Sequence, residues 1–152
     1  MRWVALGMVV AFSAGCSDKS YSDDLLHASS EKRVAAAAFL GAQRDQNAVG
    51  ALIAVLGDSS VSVRTKAAWA LGIIRAREAV TPLLVLLKDP DRGVKQAAIG
   101  ALMNIEEPGA LPSLREALSS EPDVWVIGDL EKAIGYLSQF EGETDVGEST
   151  FN

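Results

Sequence analysis

Few side chains in this sequence could do chemistry. Its 152 residues include one cysteine, Cys16, and one histidine, His27. A metal site needs several such ligands at set spacing, and no second His or Cys accompanies either of them. Glu106 and Glu107 form an acidic pair ahead of Pro108 and Gly109. Two carboxylates divide acid and base roles only where their surroundings drive their pKa values apart, which a solvated turn does not do. The acids near the end (Glu141, Glu143, Asp145 and Glu148) lack the Asp-x-Asp-x-Asp-Gly run of a calcium loop. Gly41 and Gly72 have no phosphate-loop spacing around them and suit close-packing or capping positions. His27 is expected as a polar residue of an N-terminal cap. The inventory implies no catalytic, cofactor-binding or metal-binding residues, no enzyme, and no small-molecule substrate.

The elements that carry these residues repeat. Val63, Ala67, Ala70, Leu71 and Ile74 share one face of a helix of 3.6 residues per turn. After Arg77 and Glu78 a second face follows in Val80, Leu83, Leu84 and Leu87, with Pro82 in its first turn, where a missing N–H costs little. Stepping back 31 residues gives Ala36, Leu40 and Gly41, then Ala48, Val49, Leu52 and Leu56. Stepping forward 31 gives Val94, Ala98, Ala101, Leu102 and Ile105, then Ala110, Leu111, Leu114 and Leu118. A further step of 32 gives Val126, Leu130, Ala133, Ile134 and Leu137. Ser29, Ser60, Asp91 and Asp123 stand ahead of the four first helices as N-caps. Two helices per unit at this period predict an all-α fold: a short right-handed α-solenoid of about three and a half helix-turn-helix repeats. The fourth unit has only its first helix.

The pattern Val-Arg-x-x-Ala-Ala-x-Ala-Leu-Gly-x-Ile, then Ala-Val-x-x-Leu-Leu-x-x-Leu-x-Asp, resembles the short HEAT-like repeats named after phycobilisome lyases. The likeness spans residues 29 to 140, with Lys32 in place of Val63 and Met103 in place of Gly72. Such repeats serve many roles, so the resemblance implies a fold more than an activity. A bilin-lyase-like enzyme is only a remote third reading. Arg33, Arg64 and Lys95 occupy one repeat position. The resemblance implies that Arg64 pairs with Asp58, and Lys95 with Asp89, the acids ending the preceding units.

Ahead of the repeats, Arg2, the apolar run Trp3 to Phe12 and the small residues Ser13, Ala14 and Gly15 fit a signal segment over 1–15. Cys16 after Ala14 and Gly15 resembles a bacterial lipobox, which implies acylation at Cys16 and a membrane anchor. Ordinary signal cleavage nearby is the alternative. Ser17 after the cysteine then points to the outer membrane, facing the periplasm, if the cell has two membranes. Residues 16–24 are expected as a lipidated tether, with Tyr21 and Leu25 as a stub of helix capping the stack. The solenoid is expected over 25–140 and a disordered acidic tail over 141–152. Residues 31–95 hold ten Lys and Arg against six Asp and Glu, and residues 96–152 hold two against eleven. The acidic end and the export signal both argue against nucleic acid.

What remains is binding of a protein or peptide partner in the cell envelope, as an interaction or scaffold module. The alternative is a structural or regulatory subunit of one specific complex. Second helices line one side of a solenoid, and their outward positions are Ala51, Ala54, Pro82, Val85, Ser113 and Glu116. Neighbouring Val55, Leu86 and Ala117 are expected to be buried between units. Trp69 falls off the core face, either as a partner anchor or packed over the edge of its repeat. Trp125, beside the Asp123 cap, is expected to seal the last helix.

Overall fold

The computed structural model describes residues 18–141. The signal segment, Cys16 and all of the acidic tail except Glu141 lie outside the described residues. Eight helices follow one another: α1 (Asp18–Asp24), α2 (Ser30–Gln43), α3 (Val49–Ala54), α4 (Val61–Ile74), α5 (Val80–Val85), α6 (Arg92–Ile105), α7 (Leu111–Ser120) and α8 (Val124–Leu137). The pairs α2–α3, α4–α5 and α6–α7 are hairpins, and α8 opens a fourth unit. First helices stack α2 on α4 on α6 on α8, and each second helix packs on the first helix of the next unit. The described chain is an all-helical repeat solenoid.

Burial follows the period. Leu40, Leu71 and Leu102 from first helices, with Leu52, Leu83 and Leu114 from second helices, are fully buried, as are Leu130 and Leu137 in α8. Each such side chain contributes about 1.5–3 kcal/mol when removed from water. Ser29, Ser60, Asp91 and Asp123 are the N-cap residues of α2, α4, α6 and α8. Only the two aspartates cap with their side chains, to the N–H of Val94 and of Trp125.

At the other end of each first helix the chain turns through a left-handed residue. Arg44, Arg75 and Glu106 have φ of 53°, 60° and 59°. Glycine adopts this conformation without strain, whereas a side chain costs about 1–2 kcal/mol. The glycines sit elsewhere, inside the helices. A Cβ on Gly41 would lie 2.7 Å from Ala70 Cβ, and one on Gly72 would lie 2.7 Å from Ala101 Cα. Of the two roles open to these glycines, close packing is the one they perform.

Second helices differ in length for a countable reason. α3 and α5 each end in a turn of 3₁₀ helix, Val55–Gly57 and Leu86–Lys88, whereas α7 runs as continuous α-helix to Ser120. The third repeat is the one that is a residue longer. Three residues of 3₁₀ helix and four of α-helix both rise about 6 Å, so the extra residue lets α7 stay regular over the same span.

Three expectations need correction. First, the charged ladder closes within each hairpin and not onto the preceding unit. Arg33 pairs with Asp58 at 2.8 Å, Arg64 with Asp89 at 2.8 Å, and Lys95 with Glu121 at 2.8 Å. An antiparallel hairpin returns its end to its own start, which places the partners 25 or 26 residues apart. The preceding unit contributes backbone instead: Arg64 Nη1 donates to the carbonyl of Asp58 at 2.9 Å. Second, the polar stretch expected as tether is helical over Asp18–Asp24, while the capping stub expected at Tyr21 and Leu25 is present: Tyr21 stacks on Phe39 at 3.9 Å and Leu25 is fully buried. Third, Trp125 does not seal α8. It is 67% exposed, and the neighbouring Val126 takes the buried position.

Candidate protein-docking surface

The surface formed by the second helices is framed by the ladder. Asp58, Asp89 and Glu121 each accept the N–H of the residue two positions on, Ser60, Asp91 and Asp123, at 2.8–3.1 Å. His27 takes the equivalent place at the start of the stack, where its Nδ1 accepts from Ser29 N–H at 3.0 Å. It is thus a cap residue, as its place in the sequence suggests.

Arg64 grips Asp89 with a two-pronged contact, Nε to Oδ2 at 2.8 Å and Nη2 to Oδ1 at 3.1 Å. Burial alone would push the Asp89 carboxyl up, but the guanidinium and the Asp91 N–H outweigh it and hold the group below its ordinary value. Asp58 is lowered too, chiefly by its hydrogen bond from Arg33. These pairs tie the first turns of each first helix to the end of its own second helix.

Between α5 and α7 lies a depression of about 460 Å³. Leu84, Val85, Leu87 and Ala117 form its apolar surface, with Lys88 on one side and Glu116 on the other. Val85 is 66% exposed, whereas Leu86 beside it is buried. A second depression, about 440 Å³, opens where the N-terminal cap meets α3, lined by Leu25, Leu26, His27, Ala54, Val55 and Asp58 among others. Leu26 there is 80% exposed.

The six residues singled out in the sequence fall in different places. Val85 and Glu116 line the α5–α7 groove, and Ala54 lines the N-terminal depression. Ala51 and Pro82 are half-buried and line neither. Trp69 is on α4, 41% exposed, with its ring edge over Gly41 and Lys66 Nζ 4.9 Å from the ring centroid. It therefore both packs over the repeat edge and presents an aromatic surface. Val55 and Leu86 are buried, as expected for that row, whereas Ala117 is only half-buried and lines the groove. Lys88 and Leu26 were missed, since neither belongs to the repeating apolar pattern.

The acidic pair is engaged structurally. Glu106 accepts from both Nη atoms of Arg75 at 3.1 and 3.3 Å and from the Tyr136 hydroxyl at 2.9 Å. That carboxylate raises the Tyr136 pKa above its ordinary value. Glu107 lies 3.8 Å from Arg77. Both acids thus tie one repeat to the next. Among the described residues no group of three or more His, Cys, Asp and Glu is placed to hold a metal ion, and no helix is long and apolar enough to cross a membrane.

Comparison with known proteins agrees with this architecture. The family model for HEAT repeats matches residues 24–85 and 74–135. No curated protein matches the chain in sequence. Among solved structures it is similar to the complex of CpcE and CpcF of phycocyanin lyase from Nostoc sp., at 28% identity and a TM-score of 0.66, covering 84% of this chain and 58% of that one. A designed armadillo repeat protein in complex with the peptide (KR)4 gives 27% identity and a TM-score of 0.62, with 77% and 62% covered. Human deoxyhypusine hydroxylase in complex with glycerol shares the fold, at 22% identity and a TM-score of 0.70, with 88% and 47% covered. The chain thus spans less than two thirds of each of these structures. The periodic core, the hairpin ladder and the family match together place the chain in the HEAT-repeat family.

Proposed function

We propose that this protein is a non-catalytic interaction module, anchored in the cell envelope through Cys16, that docks a peptide or helix of another protein in the α5–α7 groove. The observation that carries the reading is Val85. It is a β-branched apolar side chain left 66% exposed in the lining of a depression that Lys88 and Glu116 also line. Likeness to a two-chain lyase complex and to a peptide-bound armadillo protein supports a protein partner. A non-catalytic role is supported by the engagement of Glu106 and Glu107 in ion pairs between repeats.

The test is capture from intact envelopes with the full chain, comparing wild type, Val85→Glu and Trp69→Ala. Loss of a discrete partner with Val85→Glu supports the groove. Unchanged partners with both variants would refute both proposed surfaces. Anchoring is tested separately by the mass of the mature N-terminal peptide, and an unmodified Cys16 thiol excludes it. The likeness to paired lyase chains favours one second reading, a regulatory or structural subunit of a single complex. In that case the chain made without its partner aggregates instead of remaining monomeric or forming a defined oligomer.

A further inference from the structure

Leu26 is the most exposed large apolar side chain among the described residues, at 80%, and the α5–α7 groove leaves it unused. The repeat defines its place. Tyr21 and Leu25 stand 31 residues before Leu52 and Leu56, so the capping stub substitutes for a second helix ahead of α3. Leu26, Gly57 and Lys88 therefore occupy one repeat position, and Ala54, Val85 and Glu116 occupy another. The N-terminal depression is lined by Leu26 and Ala54, and the α5–α7 groove by Lys88 and Glu116 together with Val85. The two depressions are thus the same hollow between neighbouring units, met twice on one surface, two repeats apart.

What lies between them is low. Ala54 and Gly57 are exposed, and a Cβ on Gly57 would meet nothing within 4 Å. A chain crossing from one depression to the other passes over this repeat without a large side chain in its way. Leu26 and Val85 stand at the two ends of that path.

Dimensions select the occupant. Packed neighbouring helices lie about 8–10 Å apart, whereas a helix with its side chains is about 10–12 Å wide. A helix cannot sink between two second helices, but a single side chain can. Two repeats span about 16–20 Å, which about six residues of extended chain cover. An even offset also keeps both side chains on one face of the strand. Charge sets the far end. Lys88 and Glu116 are exposed and make no ion pair among the described residues. At the Leu26 end Arg33 and Asp58 are paired with each other, and His27 is engaged as a cap.

We propose that the second-helix surface takes one extended peptide that crosses the helices and sets an apolar side chain in each depression. Its two anchors are about six residues apart. Beside the second anchor it carries an acid for Lys88 and a base for Glu116. This site rests on the reading of the α5–α7 groove as a docking site, and adds a second anchor, a length and a charge order.

The test is selection on the full chain from a random peptide library long enough to span both depressions, followed by fluorescence anisotropy of the enriched peptides. These are expected to carry two large apolar residues about six positions apart, with an acid close to one of them. Leu26→Ser and Val85→Glu should each weaken binding roughly tenfold or more, and Leu26→Met should retain it. An unchanged thermal melt of Leu26→Ser separates binding from folding. Lys88→Glu should weaken binding about threefold, and replacing the peptide's acid with lysine should restore it. Loss with Val85→Glu but not with Leu26→Ser would overturn the two-anchor site and leave the α5–α7 groove standing. No rescue by the charge-swapped peptide would overturn the proposal as well. Binding indifferent to Val85→Glu, or no enriched peptide, would overturn both the two-anchor site and the groove.

Discussion

Replacement of Gly72 by alanine tests how the repeats are held in register. Alanine is the better helix former by about 0.5–1 kcal/mol, so on propensity alone the change stabilises. The structure predicts the opposite sign. The new Cβ would lie 2.7 Å from Ala101 Cα and 2.9 Å from Ala101 Cβ, where carbon atoms pack at about 3.5–4 Å. The obstacle is backbone in the middle of α6, so relief requires α4 and α6 to separate by about 1 Å. Overpacking of that kind costs about 1–3 kcal/mol. Net of the helix gain, Gly72→Ala should destabilise by about 1–2 kcal/mol, lowering Tm by about 4–8 °C. Gly50→Ala is the matched control, because its Cβ meets nothing within 4 Å, and it should raise stability by up to about 1 kcal/mol. Thermal and urea unfolding followed by circular dichroism give both numbers. If Gly72→Ala stabilises as much as Gly50→Ala, the close approach of α4 and α6 is wrong.

The Arg64–Asp89 pair is only 13% and 10% exposed, so Asp89→Ala should cost about 2–4 kcal/mol, and a double-mutant cycle with Arg64→Ala should show about 1.5–3 kcal/mol of coupling. Coupling near zero would mean that the ladder is ornamental. Asp58 and Asp89 have folded-state pKa values below the unfolded carboxylate value of about 3.9, so their contribution is fully present above that pH and lost as pH falls through the lowered folded values. Acid titration of Asp58→Asn/Asp89→Asn should accordingly show a shallower loss of stability below about pH 4 than wild type. Arg44 is left-handed and exposed, and it has no ion pair among the described residues, so Arg44→Gly should stabilise by about 1 kcal/mol, read as a higher urea midpoint. A lower midpoint would show that the arginine side chain holds the turn.

Much of the fold was legible because helix geometry converts directly into spacing. The core positions from Leu40 to Leu137, the four N-caps, and the division between buried Val55 and Leu86 and exposed Ala54 and Val85 all follow from a 3.6-residue period. The ladder partners were not legible, because they depend on how a hairpin closes in space and not on what lies nearby in sequence. The left-handed turns at Arg44, Arg75 and Glu106 were hidden for a different reason. Local preference points to glycine there, and the glycines are used for helix contact instead. Trp125 misled because an aromatic residue beside a cap is ordinarily packed, whereas here Val126 occupies the inward position. Of the candidate site, the exposed row was readable and the groove was not. Lys88 lines it from the 3₁₀ turn that follows α5, at a position outside the repeating apolar pattern.

The central functional claim is that a protein partner seats between α5 and α7. A photo-crosslinking residue at Ser113, which lines that groove, tests it most directly in living cells, with Asn104 on α6 as the exposed control. The account predicts a discrete adduct from position 113 that disappears when Val85→Glu is added, and none of the same mass from position 104. The same adduct from both positions, or one that survives Val85→Glu, would contradict it.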